Sequence, residues 1–261
     1  MKRFSIIISI LLLFSGLMPA QSQENENKSI IKSCLTGWEY SLKAGFSIGG
    51  TSPLPLPQEI RQIDSYQPSM TISIEGNTTK WLDNEKKWGL TFGLRLEEKN
   101  MITKATVKNY GMTIINSNGG ELGGLWTGGV KTKVKNSYLT VPVLANYKID
   151  RHWKLVAGLY ISYLLNGDFS GHVYEGHIRT PDQMGERVDF SGDNIAVYDF
   201  TDNLRKFQWG LQFGGEWNVF KHLNVYADLT WGLNDIFKKD FNTITFAMYP
   251  IYLNIGLGCS I

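Results

Sequence analysis

The sequence predicts an all-β protein, an eight-stranded antiparallel up-and-down transmembrane β-barrel with long extracellular loops and short periplasmic turns. Three observations predict this fold class. Apolar and polar residues alternate along eight segments, which places them on opposite faces of a strand. Each segment reaches the ~9–11 residues that a tilted membrane strand needs. The connections between segments are alternately long and short, as in outer-membrane barrels.

The clearest alternation lies in residues 207–233. Trp209 and Leu211 share one face of the first half with other apolar residues, whereas Gln208 and Gln212 share the opposite face. The second half alternates in the same way, and a three-residue turn separates the two halves, which predicts a hairpin. An apolar face backed by a polar, glycine-containing face is typical of strands between lipid and a polar lumen.

The remaining strands follow from the same pattern, with two expected irregularities. Trp81 is out of phase with Ile74, which predicts a bulge at Gly76 and Asn77. Pro142 lies inside a strand that it would disturb, so a second bulge is expected there. The eight predicted strands cover residues 38–49, 68–82, 88–97, 137–149, 153–163, 207–219, 223–233 and 251–261.

Two connections are much longer than the others. Residues 98–136 carry many lysines, and residues 166–205 are acidic. Partial strands at 103–115 and 132–136 could extend the first hairpin beyond the membrane. Because long loops on a rigid scaffold commonly carry function, we expect these two to contact each other, lipopolysaccharide phosphates or a partner protein.

The N-terminus has the pattern of a secretory signal peptide. Lys2 and Arg3 precede an apolar run that ends at Met18, and small residues follow. Cleavage after Ser22 is expected, with Ala20 as the alternative, and the exported chain is expected in the cell outer membrane. The predicted parts are a signal peptide (1–22), a short periplasmic segment (23–37) and the barrel domain (38–261).

Two cysteines remain in the exported chain. Cys34 lies too far behind the apolar run to be a lipid-attachment residue. Cys34 and Cys259 could pair in an oxidising compartment, although two unrelated thiols are the simpler interpretation.

Tryptophans collect at one end of the predicted strands. An amphipathic ring is stabilised at the lipid–water boundary, which predicts a periplasmic aromatic girdle. A soluble β-sandwich shows the same alternation but has no reason to collect tryptophans at one rim, so the membrane barrel is favoured. The five girdle residues, of eight tryptophans in the chain, are Trp38, Trp81, Trp88, Trp153 and Trp217.

Three segments carry a resemblance to a known family: YSLKAGFSIG at 40–49, SYLTVPVLANYKI at 137–149 and YLNIGLGCSI at 252–261. They resemble the small outer-membrane "porin family" barrels of the Bacteroidetes, also called PorT-like. The resemblance implies a porin-like outer-membrane barrel, and it implies a secretion or gliding machinery as one further role. The chain departs from the pattern in ending at Ile261 instead of an aromatic residue, and in its two long loops.

The predicted lumen is charged and polar, and its inward-facing charged residues are Glu39, Lys43, Arg95, Glu97, Lys154, Glu216 and Asp228. An eight-stranded barrel is wide enough to be filled by its own side chains or to hold one small ligand. Lys43 is expected near the middle of the wall, with Glu216 and Asp228 as counter-charges and Arg95 nearer the extracellular side. Buried charges need partners, so we expect a lumen-filling network; a narrow selective channel is the alternative. The polar residues predicted to line the lumen are Gln208, Gln212, Tyr226, Tyr252 and Asn254.

No catalytic residue, cofactor or metal ligand is predicted. His152 and His222 fall in periplasmic turns, and His172 and His177 share the second long loop in no recognised catalytic or ligand arrangement. An enzyme that modifies lipid at the outer rim is the less favoured alternative. The formal charge of +2 gives no reason to expect nucleic acid as a partner. We expect a monomer in contact with outer-membrane lipid and lipopolysaccharide.

Overall fold

The computed structural model describes residues 37–115, 121–192 and 196–260. The predicted signal peptide, the segment that follows it up to residue 36, Cys34 and Ile261 lie outside these ranges. Among the described residues, no helix has the length and apolar character needed to cross a membrane.

The described residues form one antiparallel sheet of eleven strands. A short 3₁₀ helix, Thr201–Asn203, interrupts the second half of the chain. The strands are β1 (Trp38–Pro53), β2 (Ile60–Pro68), β3 (Thr71–Trp81), β4 (Trp88–Ile115), β5 (Glu121–Lys148), β6 (Trp153–Thr180), β7 (Glu186–Phe190), β8 (Ala196–Asp199), β9 (Phe207–Asn218), β10 (Leu223–Gly232) and β11 (Met248–Ser260).

Eight of these strands pair in a closed ring. The order is β1, β3, β4, β5, β6, β9, β10, β11 and back to β1, where Ser41 lies opposite Ser260. Closure gives each ring strand two partners, which satisfies the backbone groups that an edge strand in lipid would leave unpaired. The predicted eight-stranded antiparallel fold is confirmed. The short strands β2, β7 and β8 pair with the upper parts of β4 and β6.

The two faces of β4 exchange polarity near Lys99. On one side of this point, Glu97 is buried inside the ring and Leu96 is 45% exposed outside it. On the other side, Met101 is buried inside and Lys104 is exposed outside. An apolar exterior is stable in lipid, whereas a charged exterior over an apolar interior is stable in water. The exchange therefore marks a membrane boundary on this strand.

The neighbouring strands change at the same height. Lys99 lies opposite Asn136 of β5, which in turn lies opposite Gly167 of β6. Beyond this line Val134 and Phe169 are buried inside. We call the ring on the near side of the line the barrel wall. The structure on the far side is the projection, which comprises the described residues of 60–68, 100–135, 168–204 and 234–247.

The projection has an apolar core of its own. Phe237 is 1% exposed, and its ring centroid lies 4.9 Å from that of Phe169 and 4.8 Å from that of Phe241. Arg205 donates from Nε and a terminal guanidinium nitrogen to the carbonyl oxygen of Phe237, at 3.1 and 2.9 Å. The segment 234–247, between β10 and β11, is thereby fixed inside the curved sheet as part of its core.

The prediction that residues 98–136 and 166–205 are loops is wrong for most of their length. The described parts of these segments belong largely to β4, β5 and β6, each 28 residues long, and to β7 and β8. Partial strands were expected only at the base of the first segment. The register shifts between Val107 and Tyr110 and between Gly128 and Gly129, and these interruptions hide the alternation in the sequence.

The bulge predicted at Gly76 and Asn77 is absent. The alternation in β3 continues unbroken to Trp81, which is therefore buried inside the ring. Its Nε1 donates a hydrogen bond to a carboxylate oxygen of Glu39 at 2.9 Å. The placement of Trp81 in an outer girdle is wrong, because Lys80 occupies the outward position beside it.

The bulge predicted at Pro142 is also absent. Pro142 lies opposite Tyr160 in an unshifted stretch of the pairing between β5 and β6. On its other side it faces Gly93, where an added Cβ would come within 2.8 Å of the proline Cγ. The missing side chain of Gly93 makes room for the proline ring, so the strand continues without a bulge.

Candidate functional site

The lumen of the barrel wall holds a balanced cluster of buried charges. Its four cations and four carboxylates sum to a formal charge of zero, and none is more than 8% exposed. All eight take part in ion pairs. The cluster comprises Lys43, Arg95, Lys99 and Lys154 with Glu75, Glu97, Glu216 and Asp228.

Lys43 is the centre of this cluster. Its Nζ lies 2.9 Å from Glu216 Oε1, 3.3 Å from Asp228 Oδ2 and 3.7 Å from Glu75 Oε1. An ammonium group has three donors and no acceptor, so three carboxylates around it match its chemistry. Towards the short turns, Lys154 Nζ contacts the second oxygen of Glu216 at 2.7 Å.

Arg95 continues the chain of ion pairs towards the projection. Its guanidinium lies 2.9 Å from Glu75 Oε2 and 3.1 Å from Glu97 Oε2, and it donates to Gln212 Oε1 at 3.2 Å. Glu97 Oε1 then lies 3.0 Å from Lys99 Nζ. A continuous series of charge contacts thus follows the lumen between the two ends of the barrel wall.

Three tyrosine rings surround Lys99 at the top of the series. Its Nζ lies 5.4, 5.2 and 5.5 Å from the ring centroids of Tyr138, Tyr160 and Tyr252. A cation over aromatic faces is stabilised by their quadrupoles, more strongly when it is out of water. This layer joins the charged lumen to the apolar core of the projection.

The structure brings all four predicted charges, Lys43, Arg95, Glu216 and Asp228, into one cluster. Sequence reasoning missed Glu75 and Lys99. Glu75 alternates with Ile72 and Ile74, and this alternation was sufficient to place Glu75 on the lumen face. Lys99 was missed because its segment was predicted to be a loop. The five residues predicted to line the lumen are all buried: Gln208, Gln212, Tyr226, Tyr252 and Asn254.

The central layer leaves little space beside its side chains. The side chains of Lys43, Glu75, Arg95, Glu216 and Asp228 are each at most 4% exposed. A path wide enough for water past them would expose more of their surface. The middle of the lumen is therefore filled by the protein's own side chains.

Residues 20–238 match the family described as outer membrane protein beta-barrel domain. The chain belongs to this family. Its location is accordingly the outer membrane. A comparison with curated protein sequences gave no match.

Several solved structures are similar to this outer membrane barrel. The attachment invasion locus protein Ail of Yersinia pestis is 10% identical, with a TM-score of 0.35 over 85% of this chain and 98% of that one. OprG of Pseudomonas aeruginosa is 12% identical, with a TM-score of 0.31 over 85% and 95%. The outer membrane protease OmpT of Escherichia coli is 13% identical, with a TM-score of 0.33 over 87% and 97%. Likenesses of this size carry no argument about function.

Outer membrane barrels place short turns in the periplasm, and aspartates close two of the short turns in this one. Asp83 accepts hydrogen bonds from the backbone N–H groups of Trp88 and Lys87, at 2.9 to 3.0 Å. The bond from Trp88, followed by that from Lys87, lowers the pKa of the Asp83 carboxyl. Asp150 accepts from Trp153 and His152 at 2.7 Å, and these bonds lower its pKa in the same way.

The short-turn end of the lumen opens into a basic vestibule of about 810 Å³. Its cationic lining residues outnumber the acidic ones, Glu39, Glu85 and Asp150. Lys154, which is paired with Glu216 of the charged cluster, also lines this space. The cations that line it are Lys86, Lys87, Lys148, Arg151, Lys154 and Lys221.

Four predicted girdle tryptophans lie on the outer surface of the barrel wall. Trp38, Trp88, Trp153 and Trp217 are 39%, 55%, 49% and 45% exposed. The rings of Trp153 and Trp217 stack at 6.2 Å between centroids. Their role as a girdle at the lipid boundary stays a prediction.

The histidines lie apart from the charged cluster. His172 is on β6 in the projection, where burial and the nearby cations Lys131 and Lys104 lower its pKa. His222 Nδ1 lies 2.9 Å from the carbonyl oxygen of Ser260 at a short turn. Within residues 37–115, 121–192 and 196–260, no cluster of three or more histidine, cysteine or acidic side chains could hold a metal ion.

Proposed function

We propose that this outer membrane barrel is non-enzymatic and closed to solutes, and that its projection is the part that binds. The contact of Lys43 with three carboxylates from three other strands carries this proposal. A solute passing along the lumen would have to separate these buried partners. Separating them leaves uncompensated charge out of water, which is strongly unfavourable.

The proposed binding surface is a patch of lysines on the outer face of β4 and β5. Lys104 lies opposite Lys131, and the next outward residues of β5 towards the boundary are Lys133 and Lys135. One acidic partner, Asp168, lies 3.4 Å from Lys133. Because cations just outside the lipid boundary attract anionic headgroups, the patch suits lipopolysaccharide phosphates.

The proposed closed state is tested by the entry of small sugars into proteoliposomes that contain the protein. Vesicles with the wild-type chain should swell no faster than empty vesicles, whereas swelling proportional to protein content would support the narrow-channel alternative. In the same preparations, Lys131→Gln/Lys133→Gln/Lys135→Gln should weaken binding to lipopolysaccharide. The matched triple variant Lys86→Gln/Lys87→Gln/Lys221→Gln, at two short turns, should leave that binding unchanged.

The resemblance to PorT-like proteins suggests a further role as the membrane component of a secretion machinery. A tagged chain solubilised from its native membrane tests this. Stoichiometric recovery of other envelope proteins would support the machinery, and recovery of the barrel alone would support the free-standing monomer expected from the sequence.

A further inference from the structure

A cavity of about 370 Å³ lies at the base of the projection, above the charged lumen. Its deep walls are apolar side chains from β4, β6 and β11. Met101, Val107, Phe169 and Met248 line it and are each no more than 7% exposed. A space of this size lies in the ~300–1,000 Å³ range that is usual for small-molecule sites.

The cavity opens to one side, next to β2. Ile63 and Tyr66 of β2 and Leu56 before it line the cavity and are 46–51% exposed. One edge of β2 pairs with β4, and among the described strands nothing pairs with the other edge. The side wall is therefore interrupted here.

The opening faces water rather than lipid. It lies beyond the boundary at Lys99, because Tyr66 and Ile63 lie opposite Thr103 and Ala105. The neighbouring residues Arg61 and Asp64 of β2 are exposed. Asp64 also accepts a hydrogen bond from Thr106 at 2.9 Å on the same outer surface. A solute would reach the cavity from the aqueous side of the boundary.

The lining selects for an uncharged ligand. None of the described residues around the cavity carries a charge. Part of its small polar content is already engaged, since the Thr132 and Tyr198 hydroxyls lie 2.7 Å apart and the Thr51 N–H donates to Met101 Sδ at 3.2 Å. Met101 and Met248 add flexible, polarisable surface that adapts to differently shaped apolar groups.

We propose that this cavity binds one neutral, apolar molecule of roughly ten to fourteen non-hydrogen atoms, taken up from water through the opening at β2. The size follows because a dry apolar cavity of ~150 Å³ holds benzene, and ligand sites of ~300–1,000 Å³ are usual. This inference deepens the binding role proposed for the projection. Binding in the cavity does not depend on whether the lumen conducts. A negative result for naphthalene binding would therefore leave the closed lumen untouched, and sugar entry through the lumen would leave the cavity untouched.

Equilibrium dialysis of naphthalene against the full chain in lipid nanodiscs, with empty nanodiscs subtracted, tests the site. The wild-type chain should bind one molecule saturably. Ala105→Trp fills the cavity from β4 and should weaken this binding at least tenfold. Ala157→Trp introduces the same side chain on the exposed outer face of the barrel wall and should bind as the wild type does. Unsaturable uptake by the wild type, or equal affinities in the two variants, would overturn the proposal.

A second variant covers the case in which Ala105→Trp fails to fold, which its circular dichroism and its heat-dependent gel mobility would show. Phe246→Ala enlarges the cavity and should shift the preference from naphthalene towards anthracene. Unchanged selectivity would count against the site. The apolar group in the cavity could belong to a free solute or to an acyl chain of lipopolysaccharide, and nanodiscs with and without lipopolysaccharide separate these two sources. If naphthalene binding is lost in the nanodiscs that contain lipopolysaccharide, an acyl chain and not a free solute occupies the cavity.

Discussion

Lys43 and Glu216 lie 2.9 Å apart inside the barrel wall, although their strands β1 and β9 do not pair with each other. The contact reaches across the lumen instead of along its wall. Backbone pairing alone leaves the interior of a barrel free to hold water. Here the interior is fixed by buried side chains that are partnered both along the wall, as in Lys154 with Glu216, and across the ring, as in Lys43 with Glu216.

The first prediction concerns Lys43 itself. Lys43→Met leaves Glu216, Asp228 and Glu75 without their shared cation, so the free energy of unfolding should fall by about 3–5 kcal/mol. Denaturant unfolding in lipid vesicles, followed by tryptophan fluorescence, measures it. The control is Lys87→Met, which removes an exposed pair with Glu85 and should leave the free energy of unfolding nearly unchanged. Equal losses in the two variants would contradict a buried network.

The second prediction concerns the apolar core of the projection. Phe237→Ala should destabilise the projection by about 3–5 kcal/mol, because it leaves a cavity among Phe169, Phe200 and Phe241. Hydrogen exchange should accelerate in the upper part of β5 and stay slow in the barrel wall. Phe220→Ala, at an exposed position in a short turn, is the matched control and should change neither region. Uniform acceleration over the whole chain would show that the projection has no separate core.

The third prediction concerns the polarity exchange on β5. In a chain whose two cysteines are replaced by serine, Lys133→Cys should react on intact cells with a charged thiol reagent. Val143→Cys should not react, because it lies on the lipid side of the boundary. Lys221→Cys should react only after the outer membrane is permeabilised, since short turns face the periplasm. Labelling of Lys221→Cys on intact cells would reverse the orientation.

The fourth prediction concerns pH and the short turns. Hydrogen bonds from Trp88 and Lys87 hold the pKa of Asp83 below its usual value, so the charged carboxylate favours the folded turn. This stability is fully present above the ordinary pKa of about 3.9 and is lost as the pH falls through the lower folded value. Asp83→Ala should therefore be less stable than the wild type at pH 7, and the difference should shrink towards pH 2. A difference that is constant over this range would exclude the carboxylate as its cause.

The sequence predicts the barrel wall well because lipid imposes a strict rule on it. Every second residue of a strand faces hydrocarbon, so Leu94 and Leu96 are apolar and Arg95 between them can face only the lumen. The same rule gives the inward placement of Lys43, Glu216 and Asp228. Trp81 was misplaced because an aromatic residue near a strand end was interpreted as facing lipid, against the alternation of its own strand.

The projection is harder to predict because it lies outside the lipid, so its outer face is not required to be apolar. Its strands follow the alternation of a water-soluble sheet, with Val107 and Val134 buried, and bulges and glycine pairs interrupt that alternation. The inward face also changes character within one strand, from Glu97 to Met101. Because the apolar residues change from the outer to the inner face between Glu97 and Met101, the pattern of a membrane strand ends there, and the sequence predicted a loop that included Lys99.

Ion current through single molecules in a planar lipid bilayer shows directly whether the lumen is closed. The wild-type chain should show no current above the bare bilayer, because the cluster around Lys43 fills the lumen. A variant that empties the central layer, Lys43→Gly/Arg95→Gly/Glu216→Gly, should conduct if it inserts. Steady unit currents from the wild-type chain would show instead that the lumen is open.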